Sequence, residues 1–188
     1  EKNNFITESV LNSYGFKGSI LGGHPDSTKV PGAEASTGSL GHGFPTSIGI
    51  ALGLKIKHKK NKVICLIGDG ECHEGTIWES ANIGNNLGLG NLCVIVDWNG
   101  SAAQLMPHDD LLKKWQAFGW DTFTVDGHSN EDMSKVFKKL EFNFNSKPKV
   151  ILAKTTKGKG VSFLEGHGKW HHKIPNESEM KKILEELK

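Results

Sequence analysis

Apolar residues along this chain fall into two alternating patterns. Short continuous runs, "KVICLIG" at 62–68, "NLCVIVD" at 91–97 and "PKVILAKT" at 148–155, together with "DTFTVDG" at 121–127, read as strands. A run such as "KVICLIG", apolar throughout, predicts a strand buried on both faces. Between the runs, apolar positions recur every three or four residues, the period of a helix with one buried face. Phe44, Ile48, Leu52 and Ile56 mark one such face within 41–60, and Pro45 suits its first turn, where a missing N–H costs nothing. Residues 74–87 predict the next helix. Pro107 opens another, with Leu111, Leu112, Trp115 and Phe118 on its apolar side. Residues 130–142 predict a further helix, and "NESEMKKILEELK" closes the chain with Asn176 or Ser178 as its cap. Residues 5–14 suit a short helix. Residues 15–40 form a long Gly/Ser/Thr/Pro-rich segment, and such segments inside compact domains are functional or disordered.

Strands alternating with helices imply an α/β fold: a mainly parallel sheet, helices on both faces and right-handed crossovers. Residues 1–188 are expected to form a single domain. Ligands of such folds bind outside the carboxyl ends of the strands.

Composition narrows the function. The chain has 188 residues, 36% apolar and 23% charged, with formal net charge +2. That balance excludes a dedicated nucleic-acid surface, which needs a strong basic excess. Lys55, Lys57, Lys59, Lys60 and Lys62 read as a solvated helix end and loop. No apolar run is long enough to span a bilayer, so no membrane partner is expected. Cys65 and Cys93 sit in strand-like runs and Cys72 in a turn, with no CxxC, the pattern of reduced, buried thiols in a cytoplasmic protein. The chain begins at Glu1 without a Met and shows no signal peptide. Its 23 glycines cluster at predicted junctions, where they permit positive φ and close backbone approach to a ligand.

The chemistry gathers past two strand ends. "GDGECHEG" places Asp69 between two glycines after the first run, and Asn99 follows the second in "VIVDWNG". A carboxylate, an amide carbonyl and a freed backbone carbonyl such as that of Ser101 suit Mg²⁺ or Ca²⁺, with a diphosphate filling the remaining positions. Gly70 lets a backbone N–H reach a phosphate, and the following helix adds its positive end. The plain alternative is that Asp69 caps a helix and Asn99 makes a turn. His167 and His171, four apart, could hold zinc on a helix, but Gly166 and Gly168 disfavour that helix. "TKGKG" lacks the spacing of a P-loop. Trp98, Trp115, Trp120 and Trp170 read as core or interface residues.

The helix-then-strand interval from Gly70 to Asn99 resembles the GDG…N signature of thiamine-diphosphate enzymes. "GGHPDSTKVPGAEASTGSLGHG", "GDGECHEGTIWES", "LLKKWQAFGW", "VDGH", "AKTTKGKGVSF" and "KWHHKIPN" follow the order found in the amino-terminal, diphosphate-binding module of transketolases, over essentially the whole chain. The resemblance implies thiamine diphosphate with Mg²⁺ or Ca²⁺ held by Asp69, Asn99 and the Ser101 carbonyl. It implies Gly70 and Asn99 at the diphosphate, Gly38 and Leu40 along the cofactor rings, and Lys157 and His171 at the diphosphate, with His171 also near the substrate. His24 would meet the hydroxyl-bearing end of the donor sugar, and Glu74 would join a carboxylate network across a dimer interface. Catalytic roles thus fall to His24, His171 and Glu74. The activity implied is transfer of a two-carbon ketol unit from a ketose phosphate to an aldose, in carbohydrate metabolism.

Transketolases also need a module that binds the aminopyrimidine and supplies an activating glutamate. Nothing in this sequence resembles it. A partner subunit on a separate chain is therefore expected, in a heterotetramer with self-association about a two-fold axis; an excised fragment is the other reading. The family's "KGH" histidine lies upstream of Glu1. His42 stands where Gln is usual, and "GSAAQLMP" replaces the more common segment after Asn99, which implies a shifted substrate preference. The competing functional readings are a non-catalytic cofactor-binding or regulatory homologue, and a related thiamine-dependent synthase subunit using another donor.

Overall fold

A computed structural model describes residues 5–108, 110–166 and 169–188. Its centre is a four-stranded, all-parallel sheet in the order β1-β2-β4-β3, built from β1 (Val63–Gly68), β2 (Leu92–Trp98), β3 (Asp121–Asp126) and β4 (Lys149–Lys154). β2 and β4 pair in the middle, with Cys93 opposite Lys149 and Trp98 opposite Lys154. Gly68 at the end of β1 lies opposite Asp97 of β2. The helices are α1 (Glu8–Asn12), α2 (Gly43–Ile56), α3 (Gly75–Asn86), α4 (Leu111–Ala117), α5 (Asn130–Lys139) and α6 (Glu177–Glu186). Each strand matches its apolar run to within about one residue, the usual fuzziness of element ends.

The two faces of the sheet are covered unequally. Phe44, Ile48 and Ala51 of α2, Ile77 and Ala81 of α3 and Leu111 and Trp115 of α4 share one core with Cys65, Ile67, Val94, Val96, Val150 and Leu152. Trp115 anchors it, with ring centroids 5.9 Å from Phe44 and 5.0 Å from Trp120. The other face holds Cys93, Val125, Ile151 and Ala153 against Met133 and Val136 of α5. Chain direction explains the split. The connections from β1 to β2 and from β2 to β3 run one way across the sheet, and that from β3 to β4 runs back. Right-handed crossovers then place α5 on the opposite face from α3 and α4.

Five sequence expectations need correction. β1 is buried on one face only: Cys65 and Ile67 face the core, while Ile64 is 45% and Leu66 70% exposed. It is an edge strand, and α5 covers only the far half of that face. Pro107 does not open a helix; α4 starts at Leu111, where the Asp110 side chain caps the Lys113 N–H at 3.0 Å. Ile56, the last residue of α2, is exposed, and Ala51 takes its share of the buried stripe. Leu140 and Phe142 lie beyond the end of α5 but still pack on the second core. Pro45 falls in the first turn of α2 and Asn176 caps α6 in a reciprocal box with Glu179, as expected. Lys55 is not merely solvated: its Nζ donates to the Leu87 and Gly88 carbonyls at 2.7 and 2.9 Å, closing the C-terminal end of α3. All three cysteines are buried and unbridged. No described helix is long and apolar enough to cross a membrane.

Candidate active site

Three neighbouring strands deliver residues to one place. Asp69 follows β1, Asn99 and Ser101 follow β2, and Lys157 follows β4. They line an open cavity of about 760 Å³, together with Leu40, Gly70 and His171. Seven of the site residues expected from the sequence therefore meet at the carboxyl end of the sheet, where α/β folds bind ligands.

Asp69 ties the strand ends together. It is 3% exposed. Its Oδ1 accepts the Gly70 N–H at 2.8 Å and its Oδ2 the Gly100 N–H at 2.7 Å, so one carboxylate bridges the β1 and β2 loops. Asn99 Oδ1 accepts the Ser101 N–H at 2.9 Å, and Asn99 Nδ2 donates to Asp97 at 3.0 Å. The cap and the turn offered as the plain alternative are thus both present. Ordinary caps, however, sit in water, whereas burying a carboxylate is costly unless a positive charge or several donors offset it. Among the described residues no basic side chain pairs with Asp69. Each of its oxygens keeps a lone pair beyond its N–H bond. That donor set fits a hard divalent cation. Among the described residues no cluster of three or more His, Cys, Asp or Glu side chains could hold a metal; a set of one carboxylate with amide and backbone oxygens is of another kind.

The element directly after Gly70 is a four-residue 3₁₀ turn, Gly70–His73, and α3 begins at Gly75, one residue from its expected start. The Gly70 N–H is also engaged by Asp69. Glu71 in that turn went unnoticed in the sequence, yet its carboxylate accepts the Gly41 N–H at 2.8 Å and the Gly68 N–H at 3.4 Å. Thr76 donates to the Gly41 carbonyl at 2.7 Å, so the Gly41 peptide is held from both sides. Gly41 has φ +75°, and a Cβ there would collide with Thr76 Oγ1 and Glu74 Cβ. This clamp fixes the turn that carries Leu40. Glu74 occupies the N-cap position of α3 beside Gly41 and does not line the cavity.

His108 also escaped the sequence reading. Its Nε2 lies 2.8 Å from the Asp69 carbonyl, and its ring stacks on His73 with centroids 4.0 Å apart. Pro107 therefore belongs to a segment folded back over the GDG loop. The exposed side chains of Leu105 and Met106 form part of the cavity wall.

Lys157 Nζ and His171 Nδ1 are 2.7 Å apart at the cavity edge. The Lys157 charge, then slight burial, then His172 hold the His171 pKa below its ordinary value. His24 and Gly38 do not line the cavity but pack on each other: Gly38 has φ +141°, and a Cβ there would meet the His24 ring at 2.5 Å. His167, of the zinc alternative, lies outside the described residues. Trp115 and Trp120 are core residues, while Trp98 and Trp170 are half-buried beneath Lys154 and Lys173.

Residues 6–187 match the family model described as transketolase, thiamine diphosphate binding domain. The chain is 39% identical to one of the subunits of the apulose-4-phosphate transketolase of Phocaeicola vulgatus, over 100% of this chain and 68% of that protein. It is 42% identical to the protein of the same name from Actinobacillus succinogenes, over 98% of this chain and 68% of that protein. Its fold superposes on the crystal structure of transketolase from Campylobacter jejuni with a TM-score of 0.84 at 27% identity, over 95% of this chain and 30% of that one. By fold and by sequence over nearly its whole length, the chain belongs to the transketolase family as a thiamine diphosphate binding domain.

Proposed function

We propose that this chain is the diphosphate-binding subunit of a transketolase whose pyrimidine-binding module lies on another polypeptide. The assembled enzyme moves a two-carbon ketol unit from a ketose phosphate to an aldose acceptor. Thiamine diphosphate, when bound, supplies the nucleophile for that transfer; the protein supplies position and electrostatics. Asp69, Asn99 and the Ser101 carbonyl hold Mg²⁺, which offsets the diphosphate charge. Lys157 and His171 sit at the diphosphate edge and Leu40 borders the rings, while Gly38, two residues before Leu40 and outside the cavity, would reach them only from its margin. His24 handles the hydroxyl-bearing end of the donor, and Glu74 faces the dimer network. The relatives in Phocaeicola vulgatus and Actinobacillus succinogenes are each named as one subunit of a transketolase, which favours the division into two chains. Those names also favour a ketose phosphate as donor.

The observation that carries this reading is the buried Asp69 carboxylate, which joins two strand ends with no basic partner among the described residues. Asp69→Ala removes the only carboxylate of the proposed metal set. Thiamine diphosphate affinity at saturating Mg²⁺ should fall at least about tenfold, equivalent to about 1.4 kcal/mol. Unchanged affinity in a calorimetric titration would remove the metal assignment.

A further inference from the structure

We propose that Asp97 is a positioning residue for the metal site, acting by deciding which way the Asn99 amide faces. The inference rests on Asp69, Asn99 and Ser101 being the metal ligands. Asp97 is the penultimate residue of β2 and Asn99 lies two positions on, so in an extended chain the two side chains share a side. The two ends of the Asn99 amide are chemical opposites. The carbonyl oxygen accepts and can ligate a hard cation; the NH₂ only donates and cannot.

A carboxylate only accepts, so the end of Asn99 turned toward Asp97 must be the NH₂. Nδ2 donates to Asp97 Oδ2 at 3.0 Å. The carbonyl is thereby aimed the other way, where it meets the Ser101 N–H at 2.9 Å. A flipped amide would set acceptor against acceptor at Asp97 and donor against donor at Ser101. Two contacts therefore enforce one orientation, with the NH₂ on Asp97 and the carbonyl oxygen beside the Ser101 N–H, in a residue that lines the same cavity as Asp69.

Asp97 is itself held. Its other oxygen accepts the Thr155 hydroxyl, and the Thr155 N–H donates to the Trp98 carbonyl at 3.2 Å. Thr155 directly follows β4, so the end of β4 braces the end of β2, and the brace reaches the proposed ligand through one carboxylate. Among the described residues no basic side chain competes for Asp97. Its work is to orient Asn99, not to neutralise a charge.

The test is calorimetric binding of thiamine diphosphate to the full chain across a Mg²⁺ series. Wild type, Asp97→Asn and Thr155→Val are compared, with the unfolding midpoint measured for each. Asn at 97 can present either end of its own amide, so of the two contacts only the Ser101 N–H still favours the Asn99 orientation. The Mg²⁺ concentration for half-maximal binding should rise about tenfold, at the low end of what outer-shell partners of metal ligands contribute. Thr155→Val keeps shape and charge while releasing Asp97, and should shift the requirement in the same direction by about threefold. Affinity should recover at high Mg²⁺ in both variants. An unchanged Mg²⁺ requirement in Thr155→Val overturns the proposal even if Asp97→Asn shifts, since charge loss alone then explains the shift, and even if Asp97→Asn fails to fold. An affinity loss that high Mg²⁺ does not recover also overturns it, as a structural defect. Wild type that binds without any Mg²⁺ requirement overturns the metal reading itself, and wild type that fails to bind at any Mg²⁺ concentration overturns the placement of a self-sufficient diphosphate site on this chain, outcomes separate from the others.

Discussion

The Lys157–His171 pair shows how one charge sets the state of a neighbouring ring. With Nζ 2.7 Å from Nδ1, the ammonium donates to an imidazole nitrogen that must be unprotonated to accept. Lys157 accordingly leads the causes that hold the His171 pKa below 6.5. The folded chain then binds fewer protons at this ring than the unfolded chain. The contribution to stability is absent above pH 6.5, and becomes a growing penalty as pH falls from there toward the lowered value. The pair is exposed, so the effect on stability is small and the direct readout is the ring itself. An NMR titration should place the His171 pKa below 6.5 in wild type and raise it toward that value in Lys157→Met. A His171 pKa that does not respond to Lys157→Met would mean the contact is not populated in solution. The pairing also suits the proposed role, because a neutral ring beside an ammonium can gain a proton when an anionic diphosphate arrives between them.

At the scale of elements, β1 carries the most informative difference between pattern and fold. Its side chains alternate between core and solvent, Ile67 at 2% and Leu66 at 70% exposure, though both are branched aliphatics. Ile67→Ala should cost about 2–5 kcal/mol, as buried large-to-small changes do, and Leu66→Ala less than about 1 kcal/mol. Comparable losses in denaturant unfolding would show that the outer face of β1 is covered in solution. The sequence could not separate the two residues, because an apolar run carries no record of which neighbours the fold supplies. The strands themselves were legible, since four apolar runs admit few other structures. So were the ends that carry Asp69 and Asn99, since a break from apolar residues to Gly, Asp or Asn marks where a buried strand leaves the core. Helix starts were less legible. Pro107 looked like a first-turn residue, but the start is set by the Asp110 side chain, and Pro107 lies in the segment folded over the GDG loop through His108 and Asp69. Glu71, Asp97 and Thr155 were passed over for a related reason. Each acts by a contact far along the chain, 30 residues for Glu71 to Gly41 and 58 for Thr155 to Asp97. The one local hint was a carboxylate two positions before Asn99 at a strand end.

At the scale of the whole molecule, the site is open on the side away from the sheet. Leu40, Leu105 and Met106 border the cavity and are exposed, Leu105 at 93%. Apolar side chains beside a polar floor that fits a divalent cation suit a cofactor whose diphosphate end would be held here through that cation and whose rings would reach outward. What lies beyond that rim decides whether there is turnover. In the proposed two-chain enzyme this chain supplies Asp69, Asn99, Lys157 and His171, and the partner supplies the aminopyrimidine pocket and the activating glutamate. The chain alone, given thiamine diphosphate, Mg²⁺, a ketose phosphate and an aldose, should then show no ketol transfer. Addition of a pyrimidine-binding partner chain should produce it, and sedimentation should show a complex with both chains in equal number, two copies of each giving two sites about a two-fold axis. Turnover by the chain alone would end the two-chain reading. A stable complex that binds cofactor in a Mg²⁺-dependent way and still fails to turn over would leave the binding chemistry of Asp69 and Asn99 standing and transfer the weight to a non-catalytic role.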